Sequence, residues 1–335
     1  LSDRNSKILD FMAATEWRDA RRLPLAGDAS NRRYDRLHRA DGTTAVLMDA
    51  PPEKGEDVRP FVRIADHLRA LGLSPPKILA ADATHGLLLI EDLGDDLFAR
   101  VLEHRPESES QLYGAAIDVL CDLHDTPPPS DLPTYAPKLM AELASLPWLW
   151  YAPDAEMRAE FQAIFEPILA QNVPEADVLI QRDYHAENLL WLPGQQGSAR
   201  VGLLDFQDAM AGHRAYDLVS LLQDARRDVS LTTEADMIRR YVAQTGVDPA
   251  SFDTAYHLLG AQRNLRILGV FARLCLRDGK AHYVDLIPRV WGYLMRDLTH
   301  PVLAEIAPLV QRTLPAPTPS YLQRLKEKCA TIQKP

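Results

Sequence analysis

The sequence is poor in glycine and cysteine, has no long apolar run, and carries fewer basic than acidic residues. Sixteen glycines stand against 25 prolines in 335 residues. No two glycines form a GxG pair, so the GxGxxG dinucleotide fingerprint and the ordinary kinase glycine loop are both missing. GxxxxGK[ST] and GxSxG are also absent, which excludes a P-loop and argues against a hydrolase nucleophile elbow. A chain of this kind that binds phosphate must do so without a glycine-rich cradle. The three cysteines, Cys121, Cys275 and Cys329, are far apart, with no CxxC and no HExxH nearby. That argues against a disulfide framework or a structural zinc site and fits a reducing cytoplasm. Runs such as Leu87-Leu88-Leu89-Ile90 fall far short of a membrane span. Asp3, Arg4 and Lys7 ahead of Ile8 and Leu9 do not read as a signal peptide. With 37 Lys+Arg against 47 Asp+Glu the net charge is −10, which argues against broad nucleic-acid binding and against an anionic membrane surface. No nucleic acid, membrane or obligate protein partner is expected.

What is present is a change of character along the chain. Residues 3–16 read as a short amphipathic helix. Strand-like runs follow at 22–26, 33–37 and 44–48, the first pair joined by Gly27-Asp28-Ala29-Ser30-Asn31 and the second by Ala40-Asp41-Gly42, a strong hairpin signal. Residues 57–71 place Phe61, Ile64, Ala65, Leu68 and Leu71 at helical spacing before Gly72. Strands at 78–81 and 87–91 complete a small unit with an antiparallel meander and one inserted helix. After Gly94 long helical segments dominate, at 108–124, 155–171 and 252–277, with a proline-rich connector from Pro127 to Pro137. One compact β block interrupts them at 178–181, 189–192 and 200–204. The expected fold is α+β and two-lobed: a small antiparallel-sheet N-lobe over residues 1–93, and a large, mainly helical C-lobe over 94–335.

The polar residues gather in the β block. An apolar strand runs from Val178 into Gln181-Arg182-Asp183-Tyr184-His185-Ala186-Glu187-Asn188, and a second strand ends in Leu204-Asp205-Phe206-Gln207-Asp208. Asp183 is followed by an asparagine after five residues and by another aspartate after seventeen more. Phosphoryl transfer from Mg-ATP needs such a set: a carboxylate beside the acceptor hydroxyl, and an amide oxygen and second carboxylate for metal. Spacing alone leaves open that these are turn and cap residues at strand ends.

These residues resemble the aminoglycoside-phosphotransferase/choline-kinase family of small-molecule kinases, with its protein-kinase-like fold. The likeness is carried by Arg182-Asp183-Tyr184-His185-Ala186-Glu187-Asn188, Leu204-Asp205-Phe206, Leu123-His124 and Tyr216-Asp217-Leu218, and it spans essentially the whole chain. Ala26 to Tyr34, Met48-Asp49-Ala50-Pro51-Pro52, Arg59-Pro60-Phe61 and Gln262 to Leu274 look more narrowly like the anomeric N-acetylmuramate/N-acetylglucosamine kinases of bacterial cell-wall recycling. The resemblance implies ATP and Mg2+ as cofactors and a small-molecule sugar acceptor. It implies Asp183 as catalytic base, Asn188 and Asp205 as metal ligands, Glu91 to Leu93 as the hinge that meets adenine, and Gly27 to Asn31, with Ser30, as the phosphate loop.

Two positions depart from the pattern. Gln181 stands where the family usually has histidine. Met48 stands on the third strand where most relatives place the lysine that holds the α- and β-phosphates. Arg32 and Arg33 are the substitutes to hand, of which period-two alternation lets at most one point inward, and Arg59 is a third. Asp208, Arg263 and Asn264 are candidate acceptor residues, an arginine being suited to the lactyl carboxylate of N-acetylmuramate. Bland readings stand for the others: His185 as a structural histidine, His124 as a helix-end residue, Asp217 as a cap or a brace for the catalytic loop, Trp148 and Trp150 as packing. The competing functions are a kinase of the same family acting on a cationic acceptor, a nucleotide-binding pseudokinase scaffold, and a metal-dependent phosphohydrolase using Asp183, His185 and Asp205.

Overall fold

The computed structural model describes residues 3–25, 31–174 and 176–332. Its elements in chain order are α1 (Asp3–Ala13), β1 (Arg21–Pro24), β2 (Arg33–His38), β3 (Thr44–Asp49), α2 (Arg59–Ala70), β4 (Ile78–Asp82), β5 (Leu87–Glu91), α3 (Phe98–His104), α4 (Glu109–His124), α5 (Pro137–Ala144), α6 (Pro147–Trp150), α7 (Ala155–Asn172), β6 (Val178–Ile180), β7 (Leu189–Trp191), β8 (Val201–Leu203), β9 (Met210–Gly212), α8 (Ala215–Leu222), α9 (Leu231–Thr245), α10 (Pro249–Leu276), α11 (Ile287–Asp297), α12 (Ala307–Thr313) and α13 (Pro319–Glu327). The chain forms two compact units, 1–108 with 186–209, and 109–185 with 210–335.

The first unit is built on a five-stranded antiparallel sheet of order β1-β2-β3-β5-β4. Gly42 turns the β2–β3 hairpin at φ +85°, a conformation open to glycine at no steric cost, and Asp41 accepts from the Thr43 backbone N–H at 2.9 Å. One sheet face, Leu37, Ala45, Leu47, Leu87 and Leu89, packs with Ile8, Met12 and Trp17 from the N-terminal segment. Leu88 and Ile90, on the alternate face, are buried too, so the central strands are covered on both sides and read as continuous apolar runs. The hairpin β7–β8 belongs to the same unit. It is tied in by Leu203 N–H to Ser74 O (3.0 Å), Trp191 N–H to Asp96 O (2.8 Å), and an aromatic contact of Phe206 on Phe61 with centroids 4.7 Å apart.

The second unit is helical around α10, a 28-residue helix whose Leu258, Leu259, Ala261, Leu265, Leu268 and Ala272 are fully buried. It packs against α5, α6, α8 and α11, and α4 packs on α9. Asp154, Ser230 and Asp248 cap α7, α9 and α10 by accepting from backbone N–H groups of the first turn. Among the described residues of this unit, the paired strands are β6 and β9, with Val178 opposite Gly212 and Ile180 opposite Met210. β9 carries no strand signal of its own, because Met-Ala-Gly is too short for any periodicity to show. No helix among the described residues is long and apolar enough to cross a membrane.

Candidate active site

The predicted site residues fall on both units, and each group has its own internal geometry. On the helical unit, β6 delivers Gln181, Arg182 and Asp183 into a tight turn. Arg182 sits at φ +73°, the left-handed region that costs a side-chain-bearing residue about 1–2 kcal/mol. Asp217, fully buried at the start of α8, holds this turn. Its carboxylate accepts from Gln181 N–H at 2.6 Å and from Arg182 N–H at 2.9 Å. Burial pushes the Asp217 carboxyl up to about 7, while the two backbone N–H groups pull it down. Gln181 is thus positioned through its backbone, which makes the missing histidine at this position immaterial to the turn.

Asp183 follows directly. Burial pushes its carboxyl up, but Arg266, His185, Arg263 and Arg182 outweigh it, and the group rests below its ordinary value. Arg263 and Arg266 lie three residues apart on α10 and so share a face. Arg263 is 3% exposed and donates to Ser220 Oγ at 2.9 Å, while Arg266 donates to Tyr216 Oη at 2.9 Å. Arg182 lies with its guanidinium 5.7 Å from the Tyr135 ring centre. His185 is buried against Arg226 Nη1 at 3.1 Å, and burial depresses its pKa to about 4. His124 is likewise buried, bonded to Tyr241 Oη at 2.7 Å and depressed by burial to about 3. Asn264, fully buried, donates to Gln223 Oε1 at 2.6 Å and faces the buried Asp297. Trp148 is core: its ring packs on Phe161 and its indole N–H donates to Thr313 Oγ1.

On the sheet-bearing unit, Asn188 and Asp205 flank the β7–β8 hairpin. Leu189 pairs with Leu203, and Leu204 N–H donates to Asn188 O at 3.0 Å, so both residues stand at one end of the ladder. Asp205 is also in the left-handed region, at φ +57°. Its Oδ1 accepts from Gln207 Nε2 at 2.8 Å and from Arg32 Nη2 at 3.2 Å, and Arg32 Nε lies 3.8 Å from Glu56. The other arginine candidates are placed differently. Arg33 is exposed, and Arg59, with 77% of its side chain exposed, pairs with its neighbour Asp57. Met48 is 1% exposed within β3. Glu91 closes β5, its N–H donating to Lys77 O at 2.8 Å. Leu93 packs beside Gly202 of β8. Asp208 is exposed, and Gly27 and Ser30 lie outside the described residues.

The sequence assigned no site role to Arg182, Arg266, Glu56 or Gln207, and left Arg263 and Arg266 open to being a solvated basic face of their helix, which the burial of Arg263 excludes for that residue. Arg266 had a signal, its three-residue spacing from Arg263 on a helix; Glu56 had none.

Comparison with known proteins gives this geometry its context. The sequence model described as "phosphotransferase enzyme family" matches residues 21–254. The chain is 42% identical to an N-acetylmuramate/N-acetylglucosamine kinase of Caulobacter vibrioides, covering 95% of this chain and 98% of the relative. A choline/ethanolamine kinase family protein of Mesorhizobium loti superposes with a TM-score of 0.60 at 14% identity, covering 92% of this chain and 99% of the other. An ADP-bound aminoglycoside phosphotransferase, APH(2'')-Ib, superposes with a TM-score of 0.58 at 14% identity, covering 92% and 99%. The α+β architecture is accordingly the kinase-like fold. With the family's sequence model covering most of its length, and a relative 42% identical over 95% of it, this chain belongs to the phosphotransferase enzyme family.

Proposed function

We propose that this protein is an ATP- and Mg2+-dependent sugar kinase of the cytoplasm that phosphorylates the anomeric hydroxyl of N-acetylmuramate or N-acetylglucosamine. The observation that carries the reading is the environment of Asp183, a carboxylate on a braced turn that the charges of Arg266, Arg263 and Arg182 hold below its ordinary value. A cationic acceptor such as choline or an aminoglycoside calls for carboxylates at that place, so the arginines favour a neutral or anionic sugar. The Caulobacter relative bears the name of that activity.

In this reading Asp183 orients the acceptor hydroxyl and takes its proton late in the transfer. Its depressed pKa keeps it ionised at neutral pH and makes it a weak base, which suits a loose transition state in which little proton transfer is needed early. Asp217 acts through the backbone, holding Arg182 and hence the direction of the Asp183 side chain. Asn188 and Asp205 would hold Mg2+. Both offer hard oxygen donors at one end of a hairpin, and no group of three or more His, Cys, Asp or Glu able to hold a metal occurs among the described residues. That donor set fits magnesium, which is bound through one or two carboxylates plus substrate phosphates, and it does not fit zinc. When bound, the ion supplies neutralisation of charge on the transferred phosphoryl group. Arg32, already beside Asp205, is the cation that takes over from the lysine absent at Met48, while Glu91 to Leu93 would meet the adenine. In this reading residues 1–93 act as the nucleotide lobe and 94–335 carry catalysis and acceptor contacts, although the β7–β8 hairpin with Asn188 and Asp205 belongs to the compact sheet-bearing unit.

The test is a panel of acceptors with Mg-ATP, read by 31P NMR. An anomeric phosphate on either amino sugar, lost in Asp183→Asn, is the expected result. Transfer to choline or an aminoglycoside in preference to both sugars would refute the reading.

A further inference from the structure

Arginines in this protein normally meet carboxylates. Arg4 pairs with Asp49, Arg22 with Asp35, Arg36 with Asp92 and Asp95, and Arg240 with Asp118. Arg263 and Arg266 do not. Among the described residues, each hydrogen-bonds only a neutral hydroxyl, Ser220 Oγ and Tyr216 Oη respectively. Arg263 is 3% exposed, and its Nη1 has no hydrogen-bond partner. A buried guanidinium with an unused N–H pair is costly unless something anionic completes it. Asp183 is the acid whose charge they both feel, and it is a single charge. Of the other carboxylates nearby, both Asp217 oxygens accept from the backbone, while Asp224 accepts from Arg226 N–H through Oδ1 at 2.8 Å, leaves Oδ2 without a hydrogen-bond partner among the described residues and lends its charge to Arg263; Arg182 adds a third cation beside Asp183. Beside the catalytic aspartate there is thus room, electrostatically, for one more anion.

Arg266 is the member of the pair that a ligand can reach. It is half-buried where Arg263 is sealed, and Tyr216, with its ring edge-on to Tyr135 at 5.0 Å, holds one end of its guanidinium. Arginine presents a planar fork that matches a carboxylate in two parallel bonds. We propose that Arg266, backed by Arg263, is a specificity residue that binds the carboxylate of the acceptor, so that the enzyme prefers the acidic sugar N-acetylmuramate to the neutral N-acetylglucosamine. The inference rests on the sugar-acceptor reading above. A γ-phosphate of ATP has related chemistry, and the experiment separates the two sources.

Three acceptors are compared at saturating Mg-ATP: N-acetylmuramate, its methyl ester, which keeps the lactyl group and removes the charge, and N-acetylglucosamine. Wild type should favour the acid over the ester by roughly 10- to 100-fold in kcat/KM, as one charge-assisted pair implies. Arg266→Gln should bring that ratio near one, and Arg266→Lys should restore part of it. The ratio is the readout, because Arg266 also acts on Asp183 and absolute rates will fall. Equal use of acid and ester by wild type overturns the inference without recourse to any variant. So does an acid-to-ester ratio that survives in Arg266→Gln, or an effect of that variant confined to the KM for ATP. If none of the three is phosphorylated, the sugar-kinase reading falls and this inference with it; if all three are used equally, only this inference falls.

Discussion

Replacing Asp217 by asparagine removes one acceptor oxygen from a fully buried site that serves two backbone donors, Gln181 N–H at 2.6 Å and Arg182 N–H at 2.9 Å. One N–H then faces an amide nitrogen and is left unsatisfied, at a cost of about 1–3 kcal/mol. The other keeps an acceptor but loses its charge, worth about 1 kcal/mol. The total, ~2–4 kcal/mol, exceeds the ~1–2 kcal/mol that holding Arg182 left-handed costs, so the turn is free to relax and carry Asp183 out of line. If most of that energy appears in the transition state, kcat falls roughly 30- to 1000-fold. The nucleotide candidates Arg32, Asn188 and Asp205 lie on the other compact unit, so KM for ATP should stay within about threefold. The assay is steady-state ADP release with either amino sugar, varying ATP and acceptor separately, alongside a thermal melt to show the variant folded. A second readout comes from pH. Burial pushes the Asp217 carboxyl up to about 7, so wild-type kcat should decline as pH drops through that value and the protonated group accepts more weakly. Asp217→Asn should lack that limb. A variant with kcat within threefold of wild type, or with its loss confined to KM for ATP, refutes the brace.

Three further predictions follow from the geometry. Arg32→Ala, which removes the guanidinium 3.2 Å from Asp205, should raise KM for ATP at least fivefold, whereas Arg59→Ala, exposed and paired with Asp57, should leave it unchanged; initial-rate kinetics over an ATP series decides, and equal effects would remove Arg32 from the phosphate site. Gly202→Ala would bring a Cβ to 3.0 Å from Leu93 Cδ1 and 3.1 Å from Leu190 Cβ, which should cost about 1–3 kcal/mol in a urea melt by forcing β8 away from its neighbours. His124 and His185, buried and neutral, bind a proton in the unfolded chain near pH 6.5 but not in the fold until about 3 and 4. Each therefore subtracts stability as pH falls below about 6.5, by up to ~1.4 kcal/mol per pH unit until its folded value is reached. Histidine 15N NMR should show neither ring titrating above pH 5, and a midpoint near 6.5 for either would contradict its burial.

Much of this was legible in one dimension. Local spacing placed β1 to β8 and α1, α2, α4, α7 and α10 to within a few residues, because hydrophobic period and turn chemistry are local properties: Asp41-Gly42 announced its hairpin, and residues 87–91 and 109–124 are the strand and helix their patterns describe. The Asp183, Asn188, Asp205 spacing, with its surrounding motif, pointed to phosphoryl transfer before any coordinate. β9 was not legible, since three residues gain their strand character only by pairing with β6.

What the sequence could not determine was which member of a charged cluster goes where. Four arginines and an asparagine were comparable candidates as letters. Tertiary packing separated them. Arg32 meets Asp205 across 173 residues of sequence, and Arg59 finds Asp57 two residues away. One residue of helix turns a side chain by ~100°, so Asn264 faces the Asp297 network while Arg263 and Arg266 turn to Ser220 and Tyr216 on α8. The charge of a residue is written in the sequence. The partner that sets its energy is chosen by the fold, because burial and a few ångströms of distance decide whether that charge is paired, strained or left for a substrate.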